Sequence, residues 1–279
     1  MTILSEHFED DMPDLNAIAR QLRFDIISLS HAARAAHIGS CLSCADILAA
    51  AYNGGLNISP ETAASPSRDR LVFSKGHCAA ALFCALAQRG FFSREKLFAA
   101  FNKNGGLQEH PNLGAMPGVE NASGSLGHGL SLGLGMALAS RIEGVPFRVC
   151  VIMGDGECNE GSVWEAAMLA GAQKTANLCV VVDANRWQAT GRSNEITALE
   201  PLADKWRAFG WQAVELEGHD PDTLKAALQE VGTGIRPMAI VARTVKGKGI
   251  SFMEDDNNWH YRIPNEAEMD LVREELGLS

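Results

Sequence analysis

Three residues that could supply oxygen atoms as ligands stand out in the segment from 149 to 191, VCVIMGDGECNEGSVWEAAMLAGAQKTANLCVVVDANRWQATG. Asp155 lies between two glycines directly after an apolar run, and Asn185 follows a second apolar run about thirty residues later. Trp187 comes two residues after Asn185. The segment lacks the G-x-x-x-x-G-K-[ST] pattern of a P-loop and the glycine spacing of a dinucleotide fingerprint. A tight turn in which Asp155 merely caps the next helix is one explanation of the motif.

A cation site explains the same residues better. Placing a carboxylate about 4 Å from a diphosphate would cost on the order of 4 kcal/mol for each pair of unit charges. Mg²⁺ reverses that sign, because it binds one or two carboxylates together with phosphate oxygens and water. We therefore predict that Asp155, the amide oxygen of Asn185 and the backbone carbonyl of Trp187 bind Mg²⁺. Two diphosphate oxygens and a water would complete the shell, and the N–H of Gly156 would be free to contact phosphate.

The elements around these residues predict an α/β fold. Helical stretches separate short apolar runs, and continuous rather than alternating runs are typical of strands covered on both faces. We therefore expect a mostly parallel sheet with helices on both faces, in one domain over residues 1–279, with an acidic helical tail from about 264 to 279. The predicted strands are 70–74, 148–153, 178–183, 211–216 and 238–244. Asp155 and Asn185 then stand at carboxyl ends of strands, where such sheets bind ligands.

Helical spacing is clearest at residues 15–36, and further helices are predicted at 43–53 and from about 78 to 89. Residues 124–144 predict a helix with several glycines. Each interior glycine costs about 1 kcal/mol relative to alanine, so we expect something to pack very close to that helix backbone.

Composition excludes several classes of partner. The 279 residues carry a formal net charge of −10 without a basic block, which argues against nucleic acid or an anionic membrane surface. The acidic N-terminus does not have the pattern of a signal peptide, and no apolar run reaches transmembrane length. Seven cysteines are typical of reduced thiols and favour a cytoplasmic location. Cys41 and Cys44 form a C-x-x-C, which we interpret as buried small side chains rather than a metal or redox site.

Several segments outside the G-D-G motif resemble those of a known protein family. They are AHIGSCLSCADILAA (36–50), RDRLVFSKGHCAAAL (68–82), GLQEHPNLGAMPGVENASGSLGHGLSLGLGMALA (106–139) and RTVKGKGISFMEDDNNWH (243–260). Together with the G-D-G motif they resemble transketolases, in the family's order, from about residue 15 to 265. The resemblance implies a thiamin-diphosphate-binding fold, thiamin diphosphate with Mg²⁺, and transfer of a two-carbon glycolaldehyde unit from a ketose to an aldose, both as sugar phosphates. It covers the diphosphate-binding half of a full transketolase.

The resemblance also assigns roles to four histidines. His37 corresponds to a histidine near the reacting carbons, and His110 to one that hydrogen-bonds the donor sugar. His77 corresponds to a residue that contacts diphosphate and lines the active-site channel, and His260 to one that reaches both diphosphate and substrate. We expect these four to bind hydroxyl groups and transfer protons. His7, His31 and His219 are interpreted as structural or solvated.

The same resemblance places further residues around the cofactor. Gly124 and the backbone of Leu126 would contact the aminopyrimidine, and Glu160 would face the subunit interface. His128 stands where the family commonly has glutamine, and its role is left open. Lys246 and Lys248 lie in a KGKG loop that either closes over substrate or is solvated.

None of the segments quoted above corresponds to the family's pyrimidine-binding half. We therefore expect a heterotetramer that includes a separate C-terminal subunit, with active sites at the interface. Two alternatives remain: another thiamin-diphosphate enzyme (resembling a 1-deoxyxylulose-phosphate synthase or a 2-oxoacid dehydrogenase α subunit) and a non-catalytic diphosphate-binding subunit. The metal could be Mg²⁺, Ca²⁺ or Mn²⁺.

Overall fold

A five-stranded parallel sheet runs through the computed structural model, which describes residues 14–278. The strands are β1 (Arg70–Phe73), β2 (Val149–Gly154), β3 (Leu178–Ala184), β4 (Gln212–Glu217) and β5 (Met238–Arg243), in the spatial order β1-β2-β3-β5-β4. All five predicted strands are present, and every neighbouring pair is parallel. The α/β prediction is confirmed. The acidic leader and His7 lie outside the described residues.

The burial of each strand follows from its place in the sheet. All seven residues of the central strand β3 are buried, as a continuous apolar run predicts for a strand covered on both faces. The edge strand β4 has one buried residue, Ala213, and its other positions are half-buried or exposed. The sheet is therefore covered less completely at β4 than at its centre.

Eleven α-helices surround the sheet within the described residues. They are α1 (Leu15–Ala33), α2 (Ile38–Ser43), α3 (Ala45–Ala50), α4 (Ala79–Gln88), α5 (Arg94–Ala100), α6 (His128–Glu143), α7 (Gly161–Ala172), α8 (Ser193–Ile196), α9 (Leu202–Ala208), α10 (Pro221–Gln229) and α11 (Glu266–Leu276). Short 3₁₀ turns follow β1 and β2, at Gly76–Cys78 and Gly156–Asn159.

Two apolar cores lie on the two faces of the sheet. Helices α1, α3, α4, α10 and α11 pack on one face against side chains such as Ile152 and Val181. Helices α6, α7 and α9 cover the other face against the alternate residues, such as Val151 and Val180. The predicted arrangement of helices on both faces is therefore observed.

The glycines of α6 serve the packing of this helix against the sheet. A Cβ atom on Gly129 would overlap Ser74, which follows β1, and one on Gly133 would overlap the side chain of Val151 in β2. The expectation of a close neighbour is met by these residues, because the glycines leave room for their side chains against the helix backbone. The helix begins at His128, so residues 124–127 form a turn at its amino end.

The C-terminal helix α11 forms where the acidic tail was predicted. Asn265 and Glu268 make a reciprocal capping box at its start. Its buried side chains are Met269, Val272 and Leu276, which belong to the core that includes α1. Between residues 14 and 278, no helix combines the length and apolar character needed to span a bilayer.

Candidate active site

A cavity of about 420 Å³ opens at the carboxyl ends of β1, β2 and β3. Every residue that the sequence assigned to cofactor or metal lines it: His77, Gly124, Leu126, Asp155, Gly156, Glu160, Asn185, Trp187 and His260. A larger cavity, of about 840 Å³, lies at the opposite edge of the sheet, beside Asp69, Arg148 and Asn177, which precede the strands. The residues that we predicted to bind cofactor or metal therefore meet at the carboxyl ends of the strands, which is where parallel sheets bind ligands.

Asp155 is held rigidly at the floor of this cavity. It follows β2 and is 3% exposed. Its Oδ1 accepts from the N–H of Gly156 at 2.9 Å, and its Oδ2 accepts from Ser193 Oγ at 2.8 Å and from the N–H of Arg186 at 3.0 Å. Burial raises the pKa of Asp155 to about 6. A cation beside this carboxylate would offset the cost of burying its charge.

Gly156 differs from its prediction in one respect. The residue lines the cavity, but its N–H donates to the carboxylate of Asp155 and is not free for phosphate. The reason is local, because Asp155 caps the 3₁₀ turn that begins at Gly156. The small size of Gly156 is still required, since a Cβ atom would lie 2.8 Å from Cγ of Gln188.

Asn185 presents a fixed amide beside Asp155. Its Nδ2 donates to Ser43 Oγ at 3.1 Å, and its Oδ1 accepts from the N–H of Trp187 at 3.0 Å. The second lone pair of Oδ1 stays available to a cation. Within the described residues, the carbonyl oxygen of Trp187 accepts no hydrogen bond. These oxygens match the ligands that Mg²⁺ prefers.

No group of three histidine, cysteine, aspartate or glutamate side chains between residues 14 and 278 could hold a metal by itself. The site has a carboxylate, an amide oxygen and a backbone carbonyl, so a bound metal would need further oxygens from a ligand. A diphosphate supplies them. The donor set therefore fits a metal that enters with a diphosphate.

A buried polar network, which the sequence did not predict, lies behind Asn185. Asp183 in β3 is 0% exposed and pairs with Lys75, which is 1% exposed. The carboxylate also accepts from Ser43 Oγ at 2.6 Å and from Thr244 Oγ1. Ser43 is the last residue of α2, and its hydroxyl joins this helix to β3. The network connects β3 with α2 and with the segments after β1 and β5.

The four predicted histidines form one cluster, of which His77 and His260 line the cavity. The ring centroid of His37 lies 5.5 Å from that of His77, 6.5 Å from that of His110 and 4.9 Å from that of His260. They come from four separate segments of the chain. The N–H of His37 also donates to the carbonyl oxygen of His260 at 2.8 Å, which joins two of these segments through their backbones.

Three of these imidazoles are neutral at pH 7. Burial, with help from the neighbouring cations, lowers the pKa of His37 to about 4 and that of His260 to about 3. Burial and the Lys75 ammonium group also lower the pKa of His77. Neutral imidazoles donate through one ring nitrogen and accept through the other. The cluster is therefore suited to contact hydroxyl groups.

His37 has two features that point to a ligand. Its backbone is left-handed, with φ of 70°, which is uncommon for a residue with a side chain. Its Nδ1 is buried without a hydrogen-bond partner among the described residues. Buried polar atoms are seldom left unpaired, so a bound molecule would satisfy this one.

The remaining predicted residues lie at the rim of the cavity or away from it. Gly124, Leu126 and Glu160 are exposed there, whereas Glu157 is buried and bonds the turn before α6. The side chain of His128 is exposed, and its Nδ1 lies 3.1 Å from the carbonyl oxygen of Leu126.

The two lysines of the KGKG loop differ from each other. Lys248 is half-buried, and its Nζ lies 3.3 Å from Glu254. Lys246 is fully buried and therefore not solvated. His219, expected to be structural or solvated, accepts from the N–H of Val245 at 2.8 Å and lies 2.6 Å from Asp46.

The family model described as transketolase, thiamine diphosphate binding domain, matches residues 14–279. An apulose-4-phosphate transketolase subunit of Phocaeicola vulgatus is 38% identical over 251 residues, which are 89% of each chain. The 6-deoxy-6-sulfo-D-fructose transketolase subunit SqwG of Clostridium sp. is 42% identical over 219 residues, 78% of this chain and 80% of that protein.

Longer relatives match over part of their length. The transketolase of Homo sapiens is 32% identical over 276 residues, which are 97% of this chain and 44% of that protein. The crystal structure of transketolase from Campylobacter jejuni superposes with a TM-score of 0.87 at 28% identity, covering 95% of this chain and 43% of that chain. The matching part is less than half of each longer protein.

Proposed function

Because the chain belongs to the transketolase family, with the thiamine diphosphate binding domain matched over residues 14–279, we propose that it is the N-terminal subunit of a split transketolase. A separate C-terminal subunit would supply the pyrimidine-binding half, and two copies of each would form a heterotetramer. The observation that carries the proposal is the single cavity that holds all the predicted cofactor and metal residues beside four clustered histidines. Bound thiamin diphosphate would supply the carbanion that attacks the ketose carbonyl.

The chain's own residues would anchor the cofactor and metal. Asp155, Asn185 and Trp187 would bind Mg²⁺, which in turn holds the diphosphate. The Lys75–Asp183 network fixes the far side of Asn185, whose Nδ2 lies 3.4 Å from Asp183 Oδ2. Because Nδ2 of Asn185 donates these hydrogen bonds, Oδ1 would be the atom that faces the metal.

The histidine cluster would bind the sugar. Neutral imidazoles of His37, His77 and His260 can donate to one hydroxyl and accept from another, and they can move a proton between the substrate and solvent. His110 lies beside His37 and Gly124 and extends this surface toward the rim of the cavity. The reaction assigned is transfer of a glycolaldehyde unit from a ketose to an aldose.

The substrates we propose are sugars with a terminal anionic group. Two relatives are named for apulose 4-phosphate and for 6-deoxy-6-sulfo-D-fructose, which carry a phosphate and a sulfonate. A phosphorylated ketose and aldose are therefore the first pair to test. We place the enzyme in the reducing cytoplasm, which its seven buried, unpaired cysteines support.

Two lines of support favour a separate partner. Relatives that share most of their length with this chain are named as subunits. In addition, the rim of the cavity exposes Leu126 and Glu160, and a neighbouring cavity of about 730 Å³ is lined by Gly124, His128 and Leu132. A pyrimidine-binding subunit over this rim would cover exposed apolar side chains and close the site.

The test combines the chain with a C-terminal transketolase subunit, thiamin diphosphate and Mg²⁺. We expect tight cofactor binding by calorimetry and sugar exchange in the mixture. In Asp155→Asn, affinity should fall about a hundredfold or more, because a metal ligand is lost while the size is kept. Asp204→Asn is the matched control, since that carboxylate is exposed and pairs with Arg207 at 2.5 Å.

Three outcomes would contradict the proposal in different ways. Full turnover by the chain without a partner would exclude the split active site. Release of CO₂ from pyruvate without sugar exchange would indicate another thiamin-diphosphate enzyme. Absence of cofactor binding in the mixture would leave a non-catalytic subunit. Replacing Mg²⁺ with Ca²⁺ or Mn²⁺ in the same titration identifies the metal used.

A further inference from the structure

Lys246 lies three residues beyond the end of β5 and has no exposed surface. Its stem packs so closely on Gly39 that a Cβ atom there would lie 3.1 Å from Cγ of Lys246. Backbone bonds fix the loop on both sides, because the N–H of Gly247 donates to Gly39 O at 2.9 Å and the N–H of Asp255 donates to Lys246 O at 2.8 Å. The lysine is therefore a built part of the site's wall.

The ammonium group of Lys246 has two partners. Its Nζ lies 2.7 Å from Asn257 Oδ1 and 3.1 Å from His260 Nδ1. No carboxylate of the described residues forms an ion pair with it. Burial lowers the pKa of Lys246 to about 8, so the group is mostly protonated at pH 7. An ammonium group only donates, so both contacts are hydrogen bonds given by the lysine.

This donation determines which nitrogen of His260 carries the proton. A ring nitrogen that accepts from Lys246 must have its lone pair free, so in the neutral imidazole the hydrogen is on Nε2. That nitrogen makes no hydrogen bond within the described residues and is not among their fully buried unpaired atoms. His260 lines the cavity, and Nε2 is its ring nitrogen left free to donate there, since Nδ1 faces Lys246.

We propose that Lys246 is a positioning residue that holds His260 as the Nε2–H tautomer and aims that N–H into the active-site cavity. Asn257 fixes the ammonium group from the other side and so sets the angle of the ring. The importance of this tautomer for sugar transfer rests on the proposed function, because the N–H would then donate to an oxygen of cofactor or substrate. The tautomer itself exists in the free chain.

The first experiment reads the tautomer directly. The full chain is labelled with ¹⁵N-histidine, and long-range ¹H–¹⁵N spectra are recorded without cofactor at pH 7, with His260→Gln to assign the signal. We expect the shift pair of a pure Nε2–H imidazole in the wild type and in Lys246→Arg, which keeps the donor. Lys246→Met should give a mixture of tautomers, and Lys248→Met should give the wild-type spectrum.

Two results would overturn the inference. One is an Nδ1–H tautomer, or an equal mixture, in the wild-type spectrum, which decides the question even where Lys246→Met does not fold. The other is a folded Lys246→Met protein whose His260 signals match the wild type. Neither result depends on turnover, so the inference can fail while the proposed function stands.

The second experiment measures turnover in the complex with the C-terminal subunit. In Lys246→Met we expect kcat to fall about ten- to a hundredfold with a much smaller change in KM, because a misplaced proton donor weakens the chemical step more than binding. Lys246→Arg should recover most of the rate. An equal loss in both variants would contradict a role through the hydrogen bond to His260.

Discussion

At the scale of single residues, the ion pair of Lys75 and Asp183 is the centre of the site's polar interior. Both side chains are almost completely buried, and they connect the segment after β1 with the end of β3. A buried pair of this kind contributes little net stability, but removing one partner leaves a charge without compensation. The pair therefore constrains the position of Asn185 more than it stabilises the fold.

The first prediction concerns that pair. Lys75→Met should lower the free energy of unfolding by about 3–5 kcal/mol, because Asp183 would remain buried and charged. The double variant Lys75→Met/Asp183→Asn should recover a large part of the loss. Urea unfolding of the free chain measures both. Arg207→Met, which breaks the exposed pair with Asp204, should cost less than about 1 kcal/mol, and an equal loss there would contradict the argument.

The second prediction concerns pH. The pKa of His37 is about 4 in the folded chain against an ordinary value of 6.5, so between these values the unfolded chain binds more protons. Stability should therefore fall as the pH drops from 6.5 toward 4. Asp155 acts in the opposite direction, because its raised pKa lets the folded chain take up a proton below about pH 6.

The difference between wild type and His37→Asn isolates the histidine. Asparagine does not titrate, so the variant should lose about 1 kcal/mol less stability than the wild type between pH 6.5 and pH 5, after allowance for partial exposure. Thermal or urea unfolding at the two pH values measures this. Parallel pH profiles of the two proteins would show that His37 is not held neutral by the fold.

Sequence reasoning found the residues that sit in short motifs and missed those that act across long separations. Asp155 and Asn185 could be proposed as metal ligands because each follows an apolar run, whereas the four histidines were assigned from the resemblance to transketolases. Lys75 and Asp183 are 108 positions apart, and no local pattern indicates that they pair. Lys246 lies in a glycine-rich loop whose role the sequence left open, and its burial depends on packing against Gly39, which is more than 200 positions away.

At the scale of elements, the strands were the easiest to predict, because burial on both faces gives continuous apolar runs. Helix boundaries were harder. The predicted helix at 43–53 is preceded by α2, whose residues 38–42 are also buried. At its other end it continues into an irregular turn at Ala51–Gly55. In α6, the glycines lower the intrinsic helix propensity, yet packing against β1 and β2 maintains the helix.

The third prediction uses two glycines of α6. Gly133→Ala should destabilise the chain by about 1–3 kcal/mol, because the added Cβ atom would overlap Val151. Gly135→Ala should stabilise it by about 0.5–1 kcal/mol, because nothing lies within 4 Å of the added atom and alanine favours the helix. Unfolding in urea compares the two. The same sign for both substitutions would refute the packing explanation.

At the scale of the whole molecule, the neighbouring helices α6 and α7 both carry exposed apolar side chains. Leu132, Met168 and Leu169 are 42%, 49% and 49% exposed. Leu132 also lines the cavity that shares Gly124 with the candidate active site. Exposed apolar side chains next to an open site are typical of a protein interface.

The fourth prediction tests this surface. Leu132→Asp should leave the chain folded and weaken association with the C-terminal subunit at least about tenfold, because a charge would be buried without a partner. Ile235→Asp is the matched control, since that side chain is 72% exposed and precedes β5 at the opposite edge of the sheet. Analytical ultracentrifugation of the mixtures measures both. Equal affinities would place the interface elsewhere.

The contacts of His219 have a consequence for protein engineering. This side chain joins Asp46 of α3 to the backbone N–H of Val245, and the N–H of the adjacent Gly218 donates to Arg243 O at 2.8 Å. The turn after β4, the helix α3 and the KGKG loop are therefore one mechanical unit. A chimera that exchanges the loop alone to change substrate choice would break this unit, so recombination between relatives should transfer the three segments as a single cassette.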